Sequence, residues 1–444
     1  MITVSEALTR VLERCEGKLP ERVTLREATS LVLAQDVTSD VDSPPHDKSL
    51  VDGYALRTAD VTRVREGRVA GPIELLVIEE VTAGDVPQQQ LQAGQATRIM
   101  TGAPVPQGAD AVVMVEQTEW KEEAGASLGV VQIDAETVTA GQCIMRQAAS
   151  MRRGQRVLDS GCRLRDVEIG LLAEVGCADV MVVPRPRVAV LATGNELVDP
   201  TAVPTPGKIR NSNGPMLIAA VEQAGGWAVD LGVARDDEDS LRELIGRGLE
   251  ADILILSGGV SAGVLDLVPQ VLTQLEVEQV FHKVQIKPGK PLWFGVRKGF
   301  EVRQGFGVRQ ADATAASGET SNTTTAGDTL VFGLPGNPVS SLICFHVFVR
   351  AAISELGGRG EWAPVTFELP LASDFQHRGG RPTYHPAILE EVAAEDDKPQ
   401  RQVRPLVWQG SSDLCTLAGA NAIVLFPAGD RDYVAGETVE CMHF

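Results

Sequence analysis

At 444 residues the chain is longer than one hydrophobic core usually supports, so two to four domains are expected. Its 43% apolar and 23% charged residues suit a soluble globular protein, and a formal net charge of −20 argues against nucleic-acid binding and against docking on acidic membranes. Seven scattered Cys without C-x-x-C and six His without metal-ligand spacing argue against a disulfide framework and a zinc site. With no leader-like amino terminus and no apolar run of ~18 residues, a cytoplasmic protein is expected.

Val4, Ala7, Leu8, Val11 and Leu12 recur at helical spacing and predict an amphipathic first helix. From about 43 to 152, short apolar runs such as IELLVI and AVVMV alternate with Gly and Pro, a strand-and-turn pattern. A helix returns over 166–176, with Asp166 as candidate N-cap. From 187, strands and helices alternate. RVAVLAT is a continuous apolar run, as a strand covered on both faces requires. NGPMLIAAVEQAGG follows as a helix with Asn213 as candidate N-cap and Pro215 in its first turn. WAVDLGVA, DILILSG, VFHKVQI, PLWFGV and LVFGLPG read as further strands, and SLRELIGRGLE, DLVPQVLTQLE and PVSSLICFHVFVRAAISEL as helices. The βαβαβ order implies a parallel sheet with ligands at the carboxyl ends of its strands. Residues 309–328, rich in Ala, Thr, Ser and Gly, read as a mobile surface insertion. Beyond 361, VTFELPL, AIVLF and TVECM predict a small β domain.

The stretch ILILSGGVSAGVLD admits two readings. Gly259-Val260-Ser261-Ala262-Gly263 fits the G-x-S-x-G elbow of a serine hydrolase, and it also fits a glycine loop holding an anion on backbone N–H groups. Pro269 is tolerated only in a first helical turn, which favours Asp266 as N-cap. That leaves a long loop for an elbow, so Gly258, Gly259 and Ser261 read as a cradle in preference to a serine hydrolase or a plain βα turn.

Two more loops suit an anion. IKPGKPLWFG places Lys287 and Lys290 on a Pro-Gly turn, where each ammonium acts as a point charge for a phosphate-like group. LPGNPVSSL opens a helix with Gly336 for close approach, Asn337 as cap, Pro338 at the start and Ser340 in the first turn. Glu196, Asp236 and Asp266 follow successive strands and suit Mg²⁺ or ribose hydroxyls, although helix capping accounts for at least one of Asp236, Asp237 and Asp239.

Together DKSLVDGYALR, RIMTGAPVPQGADAVVMVE, RPRVAVLATGNELV, GKIRNSNGPML, ILSGGVSAGVLD, VQIKPGKPLWFG, GLPGNPVSSL and GSSDLCTLAGANAIVLFP resemble the MoeA and gephyrin E-domain family of molybdenum-insertion enzymes. The resemblance runs in order along nearly the whole chain. It implies a multidomain α/β fold: a parallel-sheet, MogA-like pterin-binding domain, two mainly-β domains and a small helical and mixed domain. The matching segments are 1–42 with 153–184, 43–152, 185–360 with an insertion at about 299–328, and 361–444. It further implies a homodimer that converts adenylylated molybdopterin and molybdate to molybdenum cofactor and AMP with Mg²⁺. The molybdopterin adenylyltransferase is a candidate partner.

On that pattern Asp52 and Thr101 come from the partner subunit, and Glu196, Asp236 and Asp266 lie near metal and nucleotide. Ser261, Lys287 and Lys290 contact phosphate or molybdate, and Gly336 and Asn337 shape the pocket. The chain departs from the family at Lys48-Ser49-Leu50-Val51, at Asn195, and at Ala148-Ala149-Ser150, where Gly-Glu-Asp is usual. The last departure keeps open a second reading, a pterin-binding or scaffold protein with impaired turnover.

Overall fold

In the computed structural model, which describes residues 1–65, 72–259, 267–299, 301–302, 324–325, 327–360, 365–393 and 399–444, the chain forms two units. One comprises residues 24–27 and 35–180. Its short apolar runs build a six-stranded sheet in the order Ala111–Met114, Gly53–Leu56, Gln95–Ile99, Ile73–Val81, Ala126–Ile133, Thr118–Glu123. Leu75 and Val77 alternate inward on the long strand and meet Tyr54, Leu56, Val113 and Val131 in one core.

The helix predicted over 166–176 forms as Asp166–Glu174, but its cap position is Arg165. Asp166 is the first helical residue, and Glu168 reaches back to accept from the Arg165 N–H at 2.9 Å.

In the same unit, the loop that departs from the family pattern is pinned by carboxylates. Asp47 accepts from the Gln147 N–H at 2.8 Å and from Arg146 at 2.6 Å, and Asp42 accepts from the Arg153 N–H at 2.8 Å. Ala148 has φ +57°, a left-handed conformation that costs an L-residue about 1–2 kcal/mol. It stands where the resemblance described above implies Gly. Ala148→Gly is therefore expected to raise stability by about 0.5–1 kcal/mol, after glycine's own chain-entropy cost. Urea unfolding checks this, and a loss of stability would contradict it.

The other unit comprises residues 1–23, 28–34 and 181–444. Helix α1 (Val4–Leu12) places Ala7 and Val11 in its core. Strands β1 (Arg187–Thr193), β2 (Trp227–Ala234), β3 (Ile253–Ser257), β4 (Val277–His282), β5 (Trp293–Arg297) and β6 (Thr329–Leu334) form one sheet, ordered β2-β1-β3-β6-β5-β4. Helices α2 (Asn213–Ala224), α3 (Glu238–Gly248), α4 (Val268–Gln274), α5 (Pro338–Cys344) and α6 (Arg350–Leu356) cover it, with α5 and α6 joined by a π-helical turn, Phe345–Val349. Val188, Val190, Ile253 and Phe332 face α2 and the α5–α6 helix, while Ala189, Leu191, Leu254 and Val331 face α3 and α4. Coverage on both faces explains why the central strands are unbroken apolar runs.

The expectation of a parallel sheet holds for β2, β1, β3 and β6 and needs correction for the remaining two strands. β5 pairs antiparallel with both β6 and β4. Only residues 283–292 link β4 to β5, too few for a helical crossover. The Lys-Pro-Gly-Lys turn belongs to this hairpin link.

Most of the insertion at 299–328 lies outside the described residues. Its described ends meet, with Val302 paired to Thr324 and the Gly299 N–H donating to Asp328 at 3.0 Å. The helical stretch Pro338–Leu356 is long and apolar enough to cross a membrane by composition, and 78% of it is buried inside the fold. Its apolarity serves the core.

Strands β7 (Thr366–Pro370), β8 (Thr383–Ala393), β9 (Pro399–Pro405), β10 (Ala422–Phe426) and β11 (Thr438–His443) form an antiparallel sheet ordered β7-β11-β10-β8-β9. These strands include the three runs expected as strands beyond 361.

Candidate functional site

The loops after β1, β2, β3 and β6 converge at the carboxyl ends of the strands. Glycine makes the convergence close: Gly258 has φ +98°, and a Cβ there would lie 2.7 Å from the Thr193 carbonyl oxygen. The Gly258 N–H donates to the Leu334 carbonyl at 3.1 Å, joining the β3 and β6 loops. The β1 and β2 loops are joined reciprocally. Asp236 accepts from the Asn195 N–H at 3.0 Å, and Asn195 Oδ1 accepts from the Asp236 N–H at 3.2 Å.

These loops wall a first cavity of about 570 Å³ lined by Glu196, Asp236, Gly258, Gly259, Gly336, Asn337 and Pro338, among others. Asn213 also lines it, in a role other than the expected cap. The helix cap position is Ser212, and it is Asn211 whose side chain accepts from the Gly214 N–H at 3.0 Å. Asn213 Nδ2 is thereby freed to donate to Ser257 Oγ and the Gly336 carbonyl, both at 2.8 Å, tying α2 to the β3 and β6 loops. Asn213 Oδ1 and Thr193 Oγ1 are buried without a partner among the described residues, polar atoms that a ligand at this cavity can satisfy.

A second cavity of about 580 Å³ adjoins the first and shares Glu196, Ile209, Gly336 and Asn337 with it. Lys287, Lys290 and Ser340 line it, together with Arg381, Trp408 and Ser411 from the carboxyl-terminal β domain. The Lys-Pro-Gly-Lys turn is laced to that domain. The Lys287 N–H donates to the Pro382 carbonyl at 2.9 Å, the Tyr384 N–H to the Lys287 carbonyl at 2.8 Å, and Arg381 Nη1 to the Ile286 carbonyl at 2.8 Å. Lys287 is half-buried and Lys290 exposed.

Pro338 occupies the first position of α5 and Asn337 its cap position, as expected, but the Asn337 side chain makes no capping bond. Its Nδ2 donates to Ser411 Oγ at 2.9 Å, and the Val339 N–H donates to the Ser411 carbonyl at 3.1 Å. Pro338 has no N–H and that of Val339 is taken, so this helix start offers an anion less than LPGNPVSSL suggests on its own. The positive charge of the second cavity comes from Lys287, Lys290 and Arg381.

Asp237 caps α3, accepting from the Ser240 N–H at 2.8 Å, which leaves Asp236 to the cavity. Ser261 and Asp266 lie outside the described residues. Helix α4 begins at Val268 with Leu267 at its cap position, one residue beyond the expected Asp266. The start at Val268 puts Pro269 in the first helical turn, as expected. Asp52 and Thr101 lie together in the β-rich unit. The Thr101 N–H and hydroxyl both donate to Asp52 Oδ1 at 2.7 Å and hold its carboxyl below the usual range. Among the described residues no group of three or more His, Cys, Asp or Glu side chains is placed to hold a metal ion.

Sequence reasoning missed Arg381, Trp408 and Ser411. The signals were present in RGGRPTYHP and GSSD, a guanidinium set between Gly380 and Pro382 and a glycine-serine loop.

A strand-end crevice with carboxylates in one cavity and three cations in the next defines a binder of an anionic small molecule, built on an α/β domain with a β domain closing its cationic end. Residues 2–176 match the MoeA N-terminal region (domain I and II), 189–355 the probable molybdopterin binding domain, and 368–444 the MoeA C-terminal region (domain IV). The molybdopterin molybdenumtransferase of Bacillus subtilis is 32% identical over 442 residues, covering 99% of this chain and 94% of the relative. That of a Nostoc species is 34% identical over 421 residues, covering 94% and 87%. The crystal structure of the molybdopterin biosynthesis MoeA protein from Pyrococcus horikoshii superposes with a TM-score of 0.75 at 29% identity, covering 100% of this chain and 99% of that one. The chain belongs to the MoeA family.

Proposed function

We propose that this chain is a molybdopterin molybdenumtransferase, converting adenylylated molybdopterin and molybdate to molybdenum cofactor and AMP. The observation that carries the reading is the pair of adjoining cavities meeting at Glu196, Gly336 and Asn337, one with Asp236 beside Glu196, the other with Lys287, Lys290 and Arg381. The dithiolene and the molybdate it must meet are both negative. Cations fixed before the reaction offset their repulsion and the charge that develops as AMP leaves.

Mg²⁺ fits the donor set of the first cavity, because this ion takes one or two protein carboxylates and fills its shell with water and phosphate oxygens. Glu196 and Asp236 would hold it, with Asp266 as a third carboxylate. Bound there, the ion would polarise the phosphoanhydride. The reading includes a homodimer in which Asp52 and Thr101 of the partner subunit complete the site. It also includes four domains per chain (1–42 with 153–184, 43–152, 185–360 and 361–444), a cytoplasmic location, and supply of substrate by the molybdopterin adenylyltransferase.

Incubating the protein with adenylylated molybdopterin, molybdate and Mg²⁺, then adding a cofactor-free molybdenum enzyme, is expected to restore that enzyme's activity. Chelation of Mg²⁺ before the incubation is expected to prevent this. Restoration that survives chelation would show that Mg²⁺ is not required, and none under any condition would favour the binding-protein reading.

A further inference from the structure

Trp408 stands apart from the polar groups of the cationic cavity. Its indole is half-buried and lines the cavity beside Arg381, Lys287 and Ser411. The surrounding backbone is tied down on both sides. The Leu406 N–H donates to the Pro386 carbonyl at 2.9 Å, the Leu406 carbonyl accepts from His385 Nε2 at 2.8 Å, and the Gln409 N–H donates to Asp413 at 2.9 Å. His385 packs edge-on against the indole, centroids 5.5 Å apart at 74°, and itself rests against Phe375, which stacks on Phe426. A carbonyl can only accept, so Nε2 carries the hydrogen, and burial pushes the His385 pKa down to about 4. The support under Trp408 is therefore a neutral aromatic ladder reaching into the core of the β domain. By contrast its neighbour Val407, at 90% exposure, projects into solvent.

A rigid aromatic plate beside three cations suits a ligand in which a flat ring adjoins an anionic group, since bases stack on aromatic rings whatever their edge pattern. Resting on the function proposed above, we propose that Trp408 is the stacking surface for a fused-ring nitrogen heterocycle of the substrate, its adenine or its pterin. Trp408 sets specificity for the ring, and the lysines and Arg381 hold the anion.

Calorimetric titration of the full-length wild type, Trp408→Ala and Trp408→Phe with AMP, neopterin and molybdate, each alone, tests this. Trp408→Ala is expected to weaken AMP or neopterin by about tenfold or more, the loss that about 1.4 kcal/mol of stacking gives, with molybdate affinity unchanged. Whichever of the two weakens identifies the ring. Trp408→Phe, which keeps a plate, is expected to retain most of the affinity for the ring that Trp408→Ala loses. Wild-type binding with no loss in Trp408→Ala overturns this inference alone, and so does an equal loss for molybdate and both rings, which marks a packing role. A wild type that binds none of the three overturns both this inference and the proposed function.

Discussion

Replacing Lys287 with Ala is expected to slow molybdate-dependent AMP release by about 10²–10³-fold, the usual cost of removing one fixed electrostatic group from a reacting centre. Lys287 is half-buried, and its backbone is bonded on both sides to the β domain, so its charge is set before substrate arrives. Lys290 is exposed and screened by water and salt. Its removal is expected to cost only about tenfold, and to cost less as ionic strength rises. Arg381 has a double role, because one guanidinium nitrogen already holds the Ile286 carbonyl. Arg381→Lys keeps the charge and loses the fork, and is expected to raise the KM for molybdate more than it lowers kcat. Single-turnover AMP release across a molybdate series separates these cases. Equal effects at Lys287 and Lys290 would contradict the assignment of the fixed charge to Lys287.

Gly289→Ala is expected to destabilise the protein by about 3 kcal/mol and to impair molybdate binding with it. Gly289 has φ +115°, and a Cβ there would lie 2.5 Å from Cys344 Sγ. Cys344 is fully buried in α5, and its thiol donates to the Gly289 carbonyl at 3.7 Å, so the sulfur sits directly beneath the turn that carries both lysines. Relief requires the turn to lift, which moves Lys287 and Lys290 together. Adding Cys344→Ala removes the clash and leaves the backbone strain, so the double variant is expected to recover about half of the loss. Urea unfolding and molybdate titration of both variants check this. A Gly289→Ala protein of wild-type stability would mean the turn does not pack as described.

The parallel strands were legible because burial on both faces writes an unbroken apolar run, and the starts of α4 and α5 because Pro269 and Pro338 fit only a first helical turn. Cap positions lie one residue from expectation at Asp166, Asn213 and Asp266, and at Asn213 the reason is visible: an Asx side chain caps and cross-links with the same atoms, and this one binds Ser257 and Gly336. The cationic cavity was half legible. Lys287 and Lys290 announce themselves on a Pro-Gly turn. Arg381, Trp408 and Ser411 come from a segment about a hundred residues away and reach the turn through backbone pairing that leaves no local period. The same pairing spends an N–H of α5 on Ser411, which no reading of LPGNPVSSL alone could reveal.

Cations and carboxylates in adjoining cavities are expected to drive metal insertion. The most direct test is the AMP released from adenylylated molybdopterin by purified protein, with and without molybdate. About one AMP per substrate is expected when molybdate and Mg²⁺ are both present, and little when molybdate is left out. Tight retention of adenylylated molybdopterin with no molybdate-dependent AMP release would contradict it, and would point to Ala148-Ala149-Ser150 as the place where turnover was lost.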